Sequence, residues 1–411
     1  MSRNVYDLVI AGGGVAGLAT AVAVGRTGRF RILVIDQHRD PPPVHKGEVL
    51  QPRTLEVLRS WGVVTELESR GALRLEALEC REAGGALLGT FDYTALSHGF
   101  DHALVHYHSQ IRAALLSRAE RVADITFGVR VTGVTNDAHG RVTGVTVGSG
   151  AAETRVAARL VVAADGPNSV LRRKAGLVSQ RHRYRHAFLG FDLPVPGLLP
   201  RASNFITSHG ARILYPMPHD RARLYVQVPE GGLGEGRRRD PGEWRRLLSA
   251  TCPGLGTLLD PWPQMDPPQT FSAYRALTEG WTLPGLVFLG EAAHSVHPMA
   301  GQGMNLAIID AWTLAAELAA PGAFGSAELI DTTLSRYESL RLQQVRRGAH
   351  MSHRLAQLCT STSPAGRRLA RSLLRRNRRN GGLQMEATLR LAGLTDEPLG
   401  RRRWLRILAG I

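Results

Sequence analysis

Residues 290–303 read GEAAHSVHPMAGQG, and MNLAIIDAWTLAAEL follows with the composition of a helix. The stretch offers an acid, Glu291, two histidines three apart, His294 and His297, and a glycine turn. Histidines and an acid could ligate a metal. A glycine turn that opens a helix could instead aim free backbone amides at an anion or an electron-rich ring edge. A zinc site needs three or four ligands converging at roughly 2.0–2.3 Å. No cysteine lies nearby, and neither this pair nor His98, His102, His106 and His108 has a zinc spacing, so no metal is expected. The chemistry rests on the glycines, with His294 a packed or hydrogen-bonded residue.

Two further glycine motifs share this logic. Gly12-Gly13-Gly14-Val15-Ala16-Gly17 has the GxGxxG spacing between an apolar run and a run of small residues. Gly12 permits a tight turn, Gly14 lets a pyrophosphate approach the backbone, and Gly17 lets helix and strand pack closely. Val15 and Ala16 begin the helix whose N-terminus faces the phosphates. Asp36 ends RILVID, 24 residues after Gly12, where its carboxylate can accept from a ribose. An acid there repels a 2′-phosphate and argues against NADP in this pocket. Ala164-Asp165-Gly166 ends another apolar run and is followed by Ser169 and Arg172. Alone, it reads as a helix start with Ser169 as the cap.

The three motifs, in this order, resemble the flavoprotein monooxygenases built like para-hydroxybenzoate hydroxylase, over residues 1 to about 345. The resemblance implies FAD, with its ADP half on the first motif. It places Asp165 and Gly166 near the pyrophosphate and links them to NADH or NADPH. The family's GD, AAH, Pro, GxGxN and helix Asp are matched by Gly290-Glu291-Ala292-Ala293-His294, Pro298, Gly301, Gly303, Met304, Asn305 and Asp310. By the same resemblance Glu291 binds the ribityl chain and the glycine turn lies against the isoalloxazine. There are two departures. Glu291 stands where the family has Asp, and His108 stands where relatives carry a flavin-touching Arg or Gln. A His can still donate to a ribityl or phosphate oxygen. GE-x-LQP at Gly47–Pro52 and His297-Pro298 are similar to squalene monooxygenases, a branch that acts on lipophilic substrates.

The implied activity inserts one oxygen atom from O2, by hydroxylation or epoxidation, through a flavin C4a-hydroperoxide. The implied substrate is a lipophilic or aromatic small molecule, terpenoid, polyketide or prenylated aromatic. NADPH or NADH supplies electrons, directly or through a separate reductase. FAD carries the difficult chemistry, and the protein must exclude water and aim the substrate. An isolated alkene needs no base, whereas a phenol or quinolone needs one. His45, in VHKGEV, and Tyr215, in an aromatic-Pro pair, are the candidate catalytic residues. Phe188, Phe191, Ile213, Tyr215 and Met217 are candidate pocket linings. Halogenation is disfavoured, because the WxWxIP motif is absent. The alternatives are an FAD-dependent reductase of isoprenoid double bonds, similar to geranylgeranyl reductases, and a noncatalytic flavin binder.

The elements that must position these residues give an α/β fold. A Rossmann-like FAD-binding domain is expected over 1–75, 105–184 and 276–345. A mainly antiparallel substrate sheet is interleaved over 76–104 and 185–275, and a basic helical segment covers 346–411. RTLEVLRSWGVVTELESRG predicts one helix with Leu55, Leu58 and Trp61 on a stripe. SQIRAALLSRAE predicts a helix capped by Ser109, and GGLGEGRRRD predicts a loop.

Charge bounds the partners. The net charge is +16, and of 51 basic residues only Lys46 and Lys174 are lysines. From Pro364 onward there are 12 arginines against Glu386, Asp396 and Glu397. No nucleic-acid motif accompanies them, so no nucleic-acid partner is expected. Arginines mixed with Leu and Trp404 suit either a terminal helix pair packed on the domain or peripheral contact with an anionic membrane. Cys80, Cys252 and Cys359 are scattered, which suits a reducing cytoplasm. A strand from Tyr6 leaves no room for a signal peptide, and no apolar run approaches the ~20 residues of a membrane span.

Overall fold

The computed structural model describes residues 5–41, 44, 46–97, 99, 101–148, 153–259 and 267–395, the side chains of 235, 237, 238 and 257 excepted. His45, His98 and the tail 396–411, with Trp404, lie outside the described residues.

β1 (Val5–Ala11) runs through the glycine turn into α1 (Val15–Gly25), and β2 (Ile32–Asp36) returns parallel to β1. The short β3 (Val49–Leu50) leads into α2 (Pro52–Ser60) and α3 (Val63–Ser69). The single helix expected here is broken at Gly62, whose φ of 71° is a left-handed conformation open to glycine. The stripe survives the break, since Leu55, Leu58 and Trp61 are all buried. β4 (Leu73–Leu75), β5 (Ala77–Glu82), β6 (Leu87–Asp92) and β7 (Ala103–Val105) precede α4 (His108–Ala119). Ser109 does not cap α4; the cap position is Tyr107, and Ser109 falls in the first turn.

Next come β8 (Asp124–Phe127), β9 (Val131–Asn136), β10 (Val142–Val147), β11 (Thr154–Ala163) and the single-turn α5 (Val170–Lys174). β12 (Ser179–Pro194), β13 (Arg201–Thr207), β14 (Gly210–Met217) and β15 (Arg221–Pro229) follow. GGLGEGRRRD is not a loop: most of it forms a 3-10 turn and α6 (Leu233–Arg238). α7 (Pro241–Thr251), α8 (Gly256–Leu259), β16 (Gln269–Thr278), β17 (Thr282–Leu283), β18 (Leu286–Phe288) and β19 (His294–Ser295) lead to the last helices. These are α9 (Gly303–Ala319), α10 (Ala327–Cys359), α11 (Pro364–Arg379) and α12 (Gly381–Leu391).

The first sheet has the order β17-β18-β11-β1-β2-β8, with β10 and β9 carried on β11. β18, late in the chain, pairs parallel with β11, Leu286 opposite Val161. The central parallel strands are covered on both faces and read as unbroken apolar runs. The second sheet, β19-β16-β12-β15-β14-β13-β5-β6, is antiparallel except for β13 on β5. Its side chains alternate between two cores. Phe188, Ile213, Tyr215 and Met217 pack into one of them. Phe191 belongs to the other, edge-on to Trp244 at 5.4 Å. Phe188 and Phe191, an odd number of residues apart, cannot share a face, so Phe191 is no pocket lining.

The described part of the basic segment packs on the domain. Ala370 and Leu374 of α11 are buried, Arg371 and Arg375 reach Glu82 at 3.3 and 2.6 Å, and Arg378 donates to the Leu87 carbonyl. Among the described residues no helix is long and apolar enough to cross a membrane.

Candidate active site

The two sheets enclose a cavity of about 470 Å3. One end is backbone: Gly14 to Ala16 at the start of α1, Gly166 and Pro167 after β11, and Gly301, Gly303 and Met304 around the start of α9. The other end is aromatic and aliphatic, with Phe188, Ile213, Tyr215, Tyr225 and Phe271. Met217 is buried on the same face but does not line the cavity.

Both helices meet the cavity with no side-chain cap, at Gly14 for α1 and Gln302 for α9. Their first-turn amides and positive dipole ends therefore stay available to an anion or ring edge. The glycines divide their roles. A Cβ at Gly17 would stand 1.8 Å from the Gly12 carbonyl oxygen, so Gly17 allows the close packing of helix on strand. A Cβ at Gly14 would meet nothing within 4 Å, so Gly14 keeps space open in front of the helix. Gly12 likewise serves packing, its Cβ position lying 2.3 Å from the Ala164 carbonyl oxygen.

Asp36, at the end of β2, accepts from Gly13 N–H at 2.5 Å and His38 N–H at 2.7 Å. Ser169 caps α5 as expected, accepting from Arg172 N–H at 2.9 Å, and Asp165 accepts from Val170 and Leu171 N–H of the first turn at 2.7 and 3.1 Å. Beside that structural role, the other carboxylate oxygen of Asp165 is buried without a partner. His108 lines the cavity, and burial, reinforced by Lys46, pushes its pKa down to about 4, so the ring is neutral. Glu291 stands at the rim, partly exposed and 3.4 Å from Lys46 Nζ. Pro298 lines the wall.

Asn305 does not face the cavity. Its Oδ1 accepts from Gln51 N–H at 2.8 Å, and its Nδ2 donates to the Val49 and Gly301 carbonyls at 2.9 and 2.7 Å. Its side chain clamps β3 to the glycine turn.

The histidines satisfy one another and the backbone. His294 is 2.7 Å from buried Asp310, which also accepts from Gly290 N–H and from Arg341 Nε and Nη2. Burial pushes the Asp310 pKa up, but His294 and Arg341 outweigh it and hold the carboxyl at about 2. His297 lies 2.9 Å from His186, and burial pushes their pKa values down to about 3 and about 4. Among the described residues no three His, Cys, Asp or Glu are grouped to hold a metal.

The residues that the sequence argument missed are Glu48, Arg223 and Tyr225. Glu48 lines the cavity yet is buried. Its Oε2 accepts from Tyr225 Oη–H at 2.6 Å, and its Oε1 accepts from Arg223 Nε–H at 2.9 Å and pairs with Nη2 at 2.9 Å. Arg223 also reaches Asp192 at 3.2 Å. Burial raises the Glu48 pKa, with Arg223 opposing. Tyr225, raised by burial and by Glu48, stays protonated. Tyr215 stands edge-on to Tyr225, with ring centres 6.0 Å apart. The signal was present, because Glu48 is an acid directly before the buried Val49-Leu50 pair, and Arg223 and Tyr225 share one face of RLYVQVP by their spacing of two.

A parallel dinucleotide fold that opens, through uncapped glycine turns, onto an aromatic chamber under an antiparallel sheet defines a two-domain flavoprotein. The FAD binding domain family matches residues 5–351, and the chain belongs to that family. It is an FAD-dependent monooxygenase of the para-hydroxybenzoate hydroxylase-like type, as its relatives are named. The 6-methylpretetramide 4-monooxygenase of Streptomyces rimosus is 28% identical over 74% of this chain and 73% of its own. Aklavinone 12-hydroxylase DnrF of Streptomyces peucetius is 26% identical over 85% and 77%. The crystal structure of PqsL, a probable FAD-dependent monooxygenase from Pseudomonas aeruginosa, superposes with a TM-score of 0.79 at 25% identity, over 90% of this chain and 99% of that one.

Proposed function

We propose that the enzyme hydroxylates a phenol-bearing aromatic of the polyketide type. The observation that carries this is the Tyr225–Glu48 couple on the wall of an apolar chamber continuous with the glycine cradle. The named relatives act on 6-methylpretetramide and aklavinone, which supports the substrate class.

The cradle fits FAD. The amides at the start of α1 take the diphosphate, Asp36 the ribose, His108 and Glu291 the ribityl chain, and the turn from Gly301 to Met304 the ring. FAD supplies the oxygen-activating chemistry when bound. The chain supplies the proton path. A substrate hydroxyl gives its proton to the Tyr225 oxygen as Tyr225 passes its own proton to Glu48. Glu48 becomes neutral and the substrate becomes an electron-rich phenolate. Burial prepares Glu48 for this by disfavouring its charge, while Arg223 keeps the carboxylate oriented. Phe188, Ile213, Tyr215 and Phe271 exclude water, which protects reactive intermediates from decay.

The test incubates the FAD-loaded enzyme with tetracyclic phenols, NADPH or NADH, and 18O2, with and without an added flavin reductase. One 18O in the product and substrate-dependent O2 uptake are expected. Conversion without O2 uptake would transfer the assignment to a double-bond reductase, and a flavin that no donor reduces would leave a binder. Turnover of an alkene in place of a phenol would favour epoxidation and remove the need for Tyr225. Peripheral membrane contact through the basic C-terminal segment is tested by co-sedimentation with anionic vesicles, and no binding at low salt ends it.

A further inference from the structure

A second cavity, of about 810 Å3, lies at the end of the sheet where β13 turns into β14 and β15 ends, with Arg212 and Val226 from one face and His186 and Gln227 from the other. Along β14 the side chains alternate, Arg212 lining this cavity and Ile213 the first. Its volume is that of a small-molecule pocket, typically about 300–1,000 Å3. None of its described lining residues is Asp or Glu.

Arg212 is the unusual group. The chain buries five arginines among its described residues: Arg112, Arg172, Arg212, Arg223 and Arg341. Four of them have a carboxylate. Arg223 pairs with Glu48 and Asp192, Arg341 with Asp310, Arg172 feels Asp165, and Arg112 feels Asp36 and Asp40. Arg212, 2% exposed, has none. It spends Nη1 on the carbonyls of His209, Ala211 and Gln227, and its Nε is buried without a partner. Among the described residues the one ionisable neighbour acting on it is Cys252, and burial pushes that thiol up to about 11, so it stays neutral. An uncompensated buried guanidinium is costly, and burial has pushed its pKa down to about 10.

The surroundings complement Arg212. Ser208 and Ser361 bring hydroxyls to the lining. The lining run Thr360–Ser363 ends where α11 begins at Pro364, so a positive helix end stands at the rim. We infer that this cavity binds a small molecule through a phosphate or carboxylate group, with Arg212 as its counter-charge. The site shares no lining residue with the aromatic chamber, although His186 on its wall packs against Phe188 of that chamber, and it needs no part of the hydroxylation scheme.

The test uses the FAD-loaded enzyme, calorimetric titration and thermal shift, with inorganic phosphate, malonate, NADH and NADPH as probes. In wild type at least one probe binds and raises Tm. Arg212→Met weakens that binding by about tenfold or more, the loss expected for a charge-assisted bond. Without any probe, Arg212→Met melts at or above the wild-type temperature, because a buried unpaired charge has gone. Ser361→Ala, at a partly exposed position, keeps the fold and weakens the same probe about threefold. NADPH preferred over NADH identifies a 2′-phosphate, phosphate over malonate a simpler phosphate ester, and malonate over phosphate a carboxylate metabolite; each supports the site. Equal affinity of wild type, Arg212→Met and Ser361→Ala for every probe overturns it. So does a wild type that binds none of them. Neither result depends on turnover, so this test stands apart from that of the hydroxylase assignment.

Discussion

Tyr225→Phe separates chemistry from architecture. The substitution removes one hydroxyl and leaves Glu48 with its Arg223 Nε–H bond and the ion-pair contact to Nη2, both at 2.9 Å. Arg223 still balances the charge at Oε1, while Oε2 loses its bond from Tyr225. The stability cost is that of one hydrogen bond to a charged group, about 1.5–3 kcal/mol. The proton path is cut completely. General-base catalysis is worth about 10²–10⁴ in rate, so kcat for a phenolic substrate at pH 7 should fall by about 10² or more, with KM little changed. The loss should shrink as pH rises, because a phenolate needs no base. For a phenol with the tyrosine-like pKa of about 10, the ionised fraction grows from about 0.1% at pH 7 to about 9% at pH 9. The variant should recover most of two orders of magnitude over that range, while wild type changes little. Single-turnover hydroxylation by rapid quench, at pH 7, 8 and 9, reads the effect directly. A deficit that is constant across pH would mean that Tyr225 only shapes the pocket. Undiminished turnover of a phenol by the variant would remove the couple from the mechanism.

The remaining expectations use the same cavity and its supports. Gly14→Ala should fold as wild type, since its Cβ meets nothing within 4 Å, yet bind FAD at least about tenfold more weakly; Gly17→Ala, with its Cβ 1.8 Å from a carbonyl oxygen, should destabilise the apoprotein itself. Fluorescence titration with FAD and thermal melts of the apoprotein distinguish the two. Glu291→Ala should weaken FAD binding and Glu291→Asp preserve it, and unchanged affinity in the Ala variant would leave Glu291 as a rim partner of Lys46 alone. The His186–His297 pair titrates in the fold at about 4 and about 3. The unfolded value, about 6.5, is higher, so this contribution is complete above pH 6.5 and is lost as pH falls through 4. Between pH 6.5 and 5 the pair should cost about 1–3 kcal/mol, reduced by the partial exposure of His186; denaturant midpoints should fall over this range in wild type and fall less in His297→Asn, and an equal fall in both would refute the assignment.

The parallel sheet was legible because its strands are unbroken apolar runs, and the glycine motifs were legible because backbone geometry restricts them to glycine. Helix boundaries were less so. Periodicity carried straight through Gly62, although the φ there divides α2 from α3. The lining at Phe191 failed for a different reason: an aromatic residue looks alike on either face of a sheet buried on both, and only register tells them apart. The least legible layer was electrostatic. Glu48 is a residue of β3's approach, and Arg223 and Tyr225 lie more than 170 positions later. No local pattern connects them, and the histidines, conspicuous in the sequence, draw attention to groups that the fold uses to bond one another, Asp310 and the backbone.

The position of Asn305 explains why the Glu48 segment and the glycine turn must be considered together. Its side chain bonds the backbone at Val49, Gln51 and Gly301, so the strand that follows Glu48 and the glycine turn before α9 share one clamp. Tyr93 adds a second tie, donating to Gln51 Oε1 at 2.9 Å. On the far side, Glu48 is bonded to β15 of the substrate sheet through Arg223 and Tyr225. Glu48 thus spans the joint between the dinucleotide fold and the sheet that roofs it. A displacement of the Gly301 turn moves β3 with it, and so moves the carboxylate against Tyr225. On the proposed scheme, proton uptake and ring placement would be mechanically linked through these buried side chains, and that linkage would give the GE-x-LQP stretch a physical reason that substrate lipophilicity alone does not supply.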